Sequence, residues 1–386
     1  MDESPFRTYE NKTFKITMIV AIIAGARPNF MKVAPIIKAI HEAQANEQDI
    51  DYRLIHTGQH YDKKMSGDFF EQLGIPEPHV NLEAGGGSQA EQTAAIMTRF
   101  EKVMEADRPD VVLVVGDVTS TMACTIVAKK LCIPVVHVEA GIRSGDMTMP
   151  EEINRIVTDS ICDHFFTTSE VANKQLRNAG VEESRIHFVG NTMIDTLYQN
   201  LDRLQQPALW QQFGLQKSGY FLVTLHRPAN VDDPYKLKAM LDAILDGTGE
   251  TPVVFPVHPR TRQKLELISY NHPRLLQVEP MGYLEFIYMV QNAKAVITDS
   301  GGITEETTIL KVPCMTLRDS TERPETVTLG SNELVGTDPA HLAPYLDRLM
   351  SGKWKKGGVP PLWDGKTSPR IVEKLISLYA ASPALT

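Results

Sequence analysis

Short apolar runs alternate with longer amphipathic stretches along nearly the whole chain. The strand candidates are Lys15–Ala24, Tyr52–His56, Val111–Val115, Val135–Val138, His164–Thr167 and Ile186–Val189, then Tyr220–Leu225, Val253–Pro256, Leu275–Val278, Ala295–Ile297 and Cys314–Leu317. They are rich in Val and Ile and mostly lack apolar–polar alternation. Strands buried on both faces read this way, and parallel sheets covered by helices produce them.

Helix signals fill the gaps. Ser88 and Glu91 have capping-box spacing before the run Thr93–Glu105. Asp338 precedes Pro339, an N-cap followed by a proline at the first helical position. Glu151–Cys162 follows Pro150 and puts Ile153, Ile156, Val157 and Ile161 on one face. Pro369–Ala381 carries Ile371, Val372, Leu375, Ile376 and Tyr379 at helical spacing. Strand–helix alternation throughout predicts a doubly wound α/β fold. The chain's 386 residues exceed the roughly 250–300 at which one core stops growing. Gln, Asn and Pro accumulate over 191–210, which places a break there between two similar α/β halves. Ligands of such folds bind beyond the carboxyl ends of the strands.

Composition narrows the field further. No apolar run approaches the roughly 18–20 residues that span a bilayer. The opening MDESPFRTYENKTFK lacks the basic-then-apolar order of a signal peptide and reads as a short polar tail. A cytoplasmic protein with no membrane partner is expected. Cys124, Cys132, Cys162 and Cys314 form no CxxC pair, sit in apolar neighbourhoods and read as buried free thiols. A net charge of −9 argues against a nucleic-acid partner. It leaves room for a local basic cluster that binds a small anion.

Four segments can carry chemistry. In IIAGARPNFMK, Ile22–Lys32, a strand ends at a glycine and a helix starts. Arg27 and Lys32 supply positive charge there, and Asn29 can cap the helix. A plain strand-to-helix turn has the same local pattern. Asp117 and Glu139 close strands, and Glu151 opens a helix. Carboxylates at strand ends can be desolvated in a cleft, which raises their pKa toward useful acid–base values. Asp117 can instead cap the following helix, and Glu151 can favour the helix dipole or pair with Arg155 at i,i+4. Glu139 has no such local alternative.

In AVITDSGGITEET, Gly301 and Gly302 after Ser300 let backbone amides approach a phosphate, and Glu306 lies one turn into the helix where it can meet a ribose diol. A sharp turn alone also calls for glycine. RDSTERPE adds Arg318, Thr321 and Arg323 after the next strand. His226, followed by Arg227, and His258 end strands beside arginines whose forks suit phosphate. No GxGxxG, Walker, HExxH, Cys/His-ligand or GxSxG pattern occurs, so NAD, a P-loop, a metal and serine acylation all lose support.

Taken together, GARPNFMK, TGQHYD, VVGDVTST, HVEAGIRSGD, MPEEINR, GNTMID, TDSGGITEE and RDSTERPE, in that order, closely resemble the UDP-N-acetylglucosamine 2-epimerase family from about Lys15 to the last helix. The resemblance implies the GT-B architecture, two Rossmann-like domains facing a cleft. These would be 15–195, with 369–386 crossing back, and 196–368. It implies acid–base roles for Asp117, Glu139 and Glu151 and a diphosphate-facing His226. Arg27, Lys32, Arg143, His258, Ser300, Gly301, Gly302, Glu306 and Arg318 match the substrate and nucleotide-binding set.

The implied reaction inverts C2 of UDP-N-acetylglucosamine by eliminating UDP across C1–C2 to 2-acetamidoglucal and adding it back. It needs no redox cofactor and no metal. A homodimer is implied as well. Pro228 stands where the common bacterial form has a charged residue, and Tyr61 and Asp62 depart from the QHR form tied to allosteric activation by substrate. MPEEINR and TGQHYD also occur in branches acting on modified sugars such as UDP-2,3-diacetamido-2,3-dideoxyglucuronate. The rivals are a hydrolysing 2-epimerase, a glycosyltransferase of the same architecture and a non-catalytic nucleotide-sugar sensor.

Overall fold

The structure, a computed structural model, describes residues 17–58 and 74–379, without the side chains of Arg27 and Arg260. The expected strand residues Lys15 and Ile16, and Gln59–Asp62 of TGQHYD, lie outside the described residues.

Two parallel sheets organise the chain. The first has β1 (Met18–Ala24), β2 (Ile50–His56), β3 (Val80–Asn81), β4 (Val111–Val115), β5 (Val135–Val138), β6 (His164–Thr167) and β7 (Ile186–Phe188), in the order β3-β2-β1-β4-β5-β6-β7. Its helices are α1 (Arg27–Ala45), α2 (Gln89–Ala106), α3 (Thr119–Lys130), α4 (Pro150–Ile161), α5 (Glu170–Asn178) and α6 (Thr192–Asn200). The second sheet has β8 (Phe221–Thr224), β9 (Val253–Pro256), β10 (Leu275–Val278), β11 (Ala295–Thr298), β12 (Cys314–Thr316) and β13 (Asn332–Leu334), in the order β10-β9-β8-β11-β12-β13. With it come α7 (Ala208–Gln212), α8 (Pro228–Val231), α9 (Pro234–Gly247), α10 (Pro259–Leu267), α11 (Tyr283–Asn292), α12 (Gly301–Leu310), α13 (Pro324–Thr328), α14 (Leu342–Met350) and finally α15 (Thr367–Tyr379).

Both faces of each sheet are covered. Val111, Leu113 and Val115 of β4 enter one core and Val112 and Val114 the other, so the strand cannot alternate in polarity. The strand order reverses between β1 and β4 in the first sheet and between β8 and β11 in the second. At such a switch point neighbouring strands send their loops apart and leave a crevice.

The last helix belongs to the first sheet's core. Ile371, Val372 and Leu375 of α15 pack with Ile36, Ile40 and Val33 of α1. Buried Asp195 of α6 accepts the backbone N–H groups of Thr367 at 3.0 Å and Ser368 at 2.6 Å, which caps α15. The helix begins two residues before the expected start, and Ala380 and Ala381 lie outside the described residues. Ser88 caps α2 as expected, with Glu91 answering its backbone N–H.

Several expectations change. The strands β3 and β13 were not foreseen, being short and, in β13, composed of Asn, Glu and Leu. Asp338 caps a single 3-10 turn, Pro339–His341, which leads into α14. Cys124, Cys162 and Cys314 are buried free thiols, but Cys132 is exposed, because it turns out of α3 with a left-handed φ of 54°. The apolar face of α4 points outward: Ile153 and Ile161 are exposed, while Glu152, Asn154, Arg155, Thr158 and Asp159 are buried. No helix among the described residues is long and apolar enough to cross a membrane.

Candidate active site

The carboxyl ends of both sheets meet at one cleft of about 270 Å³. From the first sheet Lys32, Asp117, Glu139 and Arg155 line it. Arg227, Ser300, Gly301, Gly302, Glu305, Glu322 and Arg323 come from the second. Sequence-predicted Lys32, Asp117, Glu139 and Ser300–Gly302 are therefore brought together.

The loop after β1 is set by Asn29. It sits in the first turn of α1, accepts the N–H groups of Gly25 and Ala26 and donates 3.0 Å to the Val115 carbonyl. This stitches the two strands of the switch point together and sends Lys32 into the cleft. Gly116 follows at φ +68°, and a Cβ there would lie 3.1 Å from Lys32 Nζ. Asp117 comes next. It does not cap α3, whose N-cap is Val118. Its carboxylate takes Arg155 Nη2 at 2.5 Å, and its carbonyl accepts from Asn154 at 2.8 Å. Arg155 also donates to Glu152 at 2.8 Å, so it pairs with these two acids and not with Glu151.

Glu139 is 8% exposed and has a left-handed φ of 74°, which is strained for a side chain with a Cβ. Its carboxylate is gripped from both sheets, by Lys32 and by Arg323. Arg323 also pairs with Glu305. Burial pulls the Lys32 ammonium down to about 8, while Asp117 opposes that pull. Burial pushes up the Asp117 carboxyl, but Arg155 and Lys32 outweigh it and hold the group below its ordinary value. Glu305 and Glu306 are each pushed up to about 8, chiefly by burial.

The second sheet supplies an anion-binding rim. The N-terminal amides of α12, from Gly301 onward, have no intrahelical acceptors, and a Cβ on Gly302 would meet nothing within 4 Å. Buried Asp299 accepts the backbone N–H groups of His226 and Arg227 and takes His226 Nδ1 at 2.8 Å. Asn230 donates 3.1 Å to the same carboxylate.

The remaining expected residues stand off the cleft lining. Glu151 is half-buried at the start of α4, near enough to Arg227 to act on its charge. Arg143 donates to Asp159 at 2.6 Å and to the Ile142 carbonyl at 2.8 Å. Buried Arg318 forks onto Glu322, both bonds 2.7 Å, beside Gly301. Glu306 is buried against Tyr283, and His258 is exposed before α10. The side chain of Arg27 lies outside the described residues. Sequence reasoning missed Arg155, Glu305 and Glu322 as cleft residues. The paired Glu of ITEE was the signal for Glu305. Arg227, read as an arginine suited to phosphate, and Arg323 of RDSTERPE both line the cleft. Among the described residues no group of three or more His, Cys, Asp or Glu is placed to hold a metal ion.

Two parallel sheets closing carboxylates, a lysine and arginines around a glycine-rich helix start define an α/β enzyme of GT-B architecture. A family model described as UDP-N-acetylglucosamine 2-epimerase matches residues 42–376. The UDP-N-acetylglucosamine 2-epimerase of Methanocaldococcus jannaschii is 41% identical over 370 residues, 93% of this chain and 99% of the relative. The UDP-2,3-diacetamido-2,3-dideoxy-D-glucuronate 2-epimerase of Pseudomonas aeruginosa is 40% identical over 365 residues, 94% and 100% of the two chains. The crystal structure of the M. jannaschii enzyme in complex with UDP-GlcNAc and UDP superposes with a TM-score of 0.81 at 41% identity, covering 93% of this chain and all of that one. The chain belongs to the UDP-N-acetylglucosamine 2-epimerase family.

Proposed function

We propose that the chain interconverts UDP-N-acetylglucosamine and UDP-N-acetylmannosamine without hydrolysis. The observation that carries this reading is the single cleft that places Asp117 and Glu139, on adjacent strand ends, opposite the Ser300–Gly302 helix start and a set of arginines. The C2 proton has no carbonyl beside it, so direct abstraction is hard. Elimination avoids the problem. A carboxylate takes the C2 proton, the C–H electron pair becomes the C1=C2 bond, and the C1–O bond breaks with UDP as leaving group. Return of UDP to C1, with a proton delivered to the other face of C2, gives the epimer. Atoms and electrons balance without an oxidant.

The two proton-transfer groups are Asp117 and Glu139, with Glu151 supporting them from the cleft edge. Lys32, Arg227 and Arg323 hold the diphosphate together with the α12 amides. The diphosphate draws Arg323 and Lys32 toward itself and frees Glu139 to accept a proton. His226, its Nδ1 fixed by Asp299, offers Nε2 to the same anion. Arg318 and Glu306 support the nucleotide end. We place the division between lobes just after α6, within the expected 191–210 break and a few residues beyond the expected 195/196, which falls inside that helix. The chain acts in the cytoplasm, which its buried free thiols support. It works as a homodimer, supported by the outward apolar stripe of Ile153 and Ile161 with Met147 nearby. Light scattering of the wild type and of Ile153→Glu tests the dimer; a wild-type monomer would end that reading.

A second reading has its own support. The diacetamido-glucuronate 2-epimerase is nearly as similar over the whole chain as the M. jannaschii enzyme. Proton NMR of the protein with each UDP-sugar in D2O, with no added NAD or metal, decides between them. UDP-N-acetylmannosamine carrying deuterium at C2 is the expected result. Free N-acetylmannosamine with UDP would mean a hydrolysing enzyme. Turnover of the modified sugar alone would select the second reading.

A further inference from the structure

We infer that His137 is a positioning residue, a buried imidazolium that braces the loops carrying Asp117 and Glu139; its role in turnover rests on the function proposed above. His137 lies on β5 two residues before Glu139 and is fully buried. Its Nδ1 is 2.7 Å from Asp159 Oδ1, and its Nε2 is 2.8 Å from the Gly116 carbonyl oxygen.

A neutral imidazole has one donor nitrogen and one acceptor nitrogen. Here both partners are acceptors. The Gly116 carbonyl has no proton to give. The other oxygen of Asp159 already accepts the Gly141 N–H at 3.1 Å and Arg143 Nη1 at 2.6 Å. The Arg143 guanidinium on that carboxylate favours its charged form independently of the histidine. Either neutral tautomer would set a nitrogen lone pair against an oxygen lone pair at hydrogen-bond distance, a costly arrangement away from water. Both nitrogens therefore donate and the ring is a cation. Asp159 is its counter-ion, and Arg143 is the other charged group on that carboxylate.

The brace has a purpose at both ends. Gly116 directly precedes Asp117, and Gly141 comes two residues after Glu139. One imidazolium and one carboxylate thus tie the tip of β4, the tip of β5 and helix α4 together. Glu139 holds a left-handed backbone that a non-glycine residue keeps only when its surroundings enforce it. The brace supplies that enforcement. Glutamine in place of His137 can reach one acceptor with its N–H groups but cannot span both in opposite directions.

Nitrogen-15 NMR of histidine-labelled wild-type protein tests the charge, with the His137 signals assigned by their loss in His137→Gln. Both ring nitrogens in the protonated range at neutral pH are expected; one unprotonated nitrogen overturns the inference. Kinetics test the role. His137→Gln should lower kcat by about tenfold or more while KM and calorimetric UDP affinity stay within about twofold. Unchanged kcat, or equal losses in kcat and UDP affinity, overturns it. If His137→Gln does not fold, Asp159→Asn carries the kinetics with the same expected split, and the histidine signals it displaces most identify His137 in the wild-type spectrum. If the wild type turns over no UDP-sugar, the proposed function falls with its kinetic corollary, and the NMR result still decides the charged brace.

Discussion

Arg323, from the loop after β12, forms an ion pair with Glu139 at the end of β5, so a cation from the second sheet closes on an acid from the first. The same guanidinium also takes Glu305. Arg323 is 7% exposed, and removing one member of a buried pair leaves the other charge unpaired. Arg323→Gln should therefore lower unfolding stability by about 3 kcal/mol and weaken UDP binding as well. Urea titration with calorimetric binding checks both. Loss of stability with unchanged UDP affinity would restrict Arg323 to a structural tie.

Asp117 and Glu139 differ in their surroundings although both end neighbouring strands. Arg155 and Lys32 keep Asp117 ionised. Glu139 is held by groups the diphosphate also wants. Asp117→Asn and Glu139→Gln preserve shape and remove the charge. Each should abolish turnover while leaving UDP affinity within about tenfold, or about 1.4 kcal/mol. Deuterium exchange at C2 should vanish with turnover. Near-normal rates in both variants would reject the assignment.

Most of the scaffold was legible because strands covered on both faces cannot hide their composition. Val111–Val115 sends alternate residues into two separate cores, and its sequence shows no polar position. Asp117 and Glu139 were legible as cleft residues because both end apolar strands, although Asp117 could equally have capped α3, a role the structure gives to Val118. The orientation of α4 was not. Helical spacing tells which residues share a face but not which face turns inward. Here Glu152, Arg155 and Asp159 face in, satisfied by one another and by the loops, and Ile153 and Ile161 face out. For the same reason Arg155 read as a partner of Glu151. Glu305 and Glu306 are adjacent in sequence, and only the twist of α12 assigns one to the cleft and the other to Tyr283. The edge strand β13 gave little signal because its three residues pair on one side only.

Lys32 couples the site to pH. Its ordinary value is 10.5, and burial lowers it to about 8. Below about 8 it is an ammonium that pairs with Glu139 and attracts phosphate; as pH rises through that value the charge is lost. UDP affinity and turnover should both decline through about pH 8. Lys32→Arg stays charged throughout and should move the decline upward. A profile unchanged by Lys32→Arg would assign the alkaline limit to another group.

Glu306 makes a prediction about stability. Its carboxyl moves from an ordinary 4.5 to about 8 because burial disfavours the charged form, with Tyr283 pulling the other way. A raised folded-state value means that the folded protein binds a proton the unfolded chain releases. This contribution is fully present below pH 4.5 and is lost as pH rises through about 8. The wild type should therefore lose stability across that window, by on the order of 5 kcal/mol from this group. Glu306→Gln, which cannot ionise, should flatten the loss and gain relative to wild type at pH 8 and above. Urea unfolding of both proteins at several pH values measures the slope, and parallel curves would show that Glu306 does not carry the buried proton.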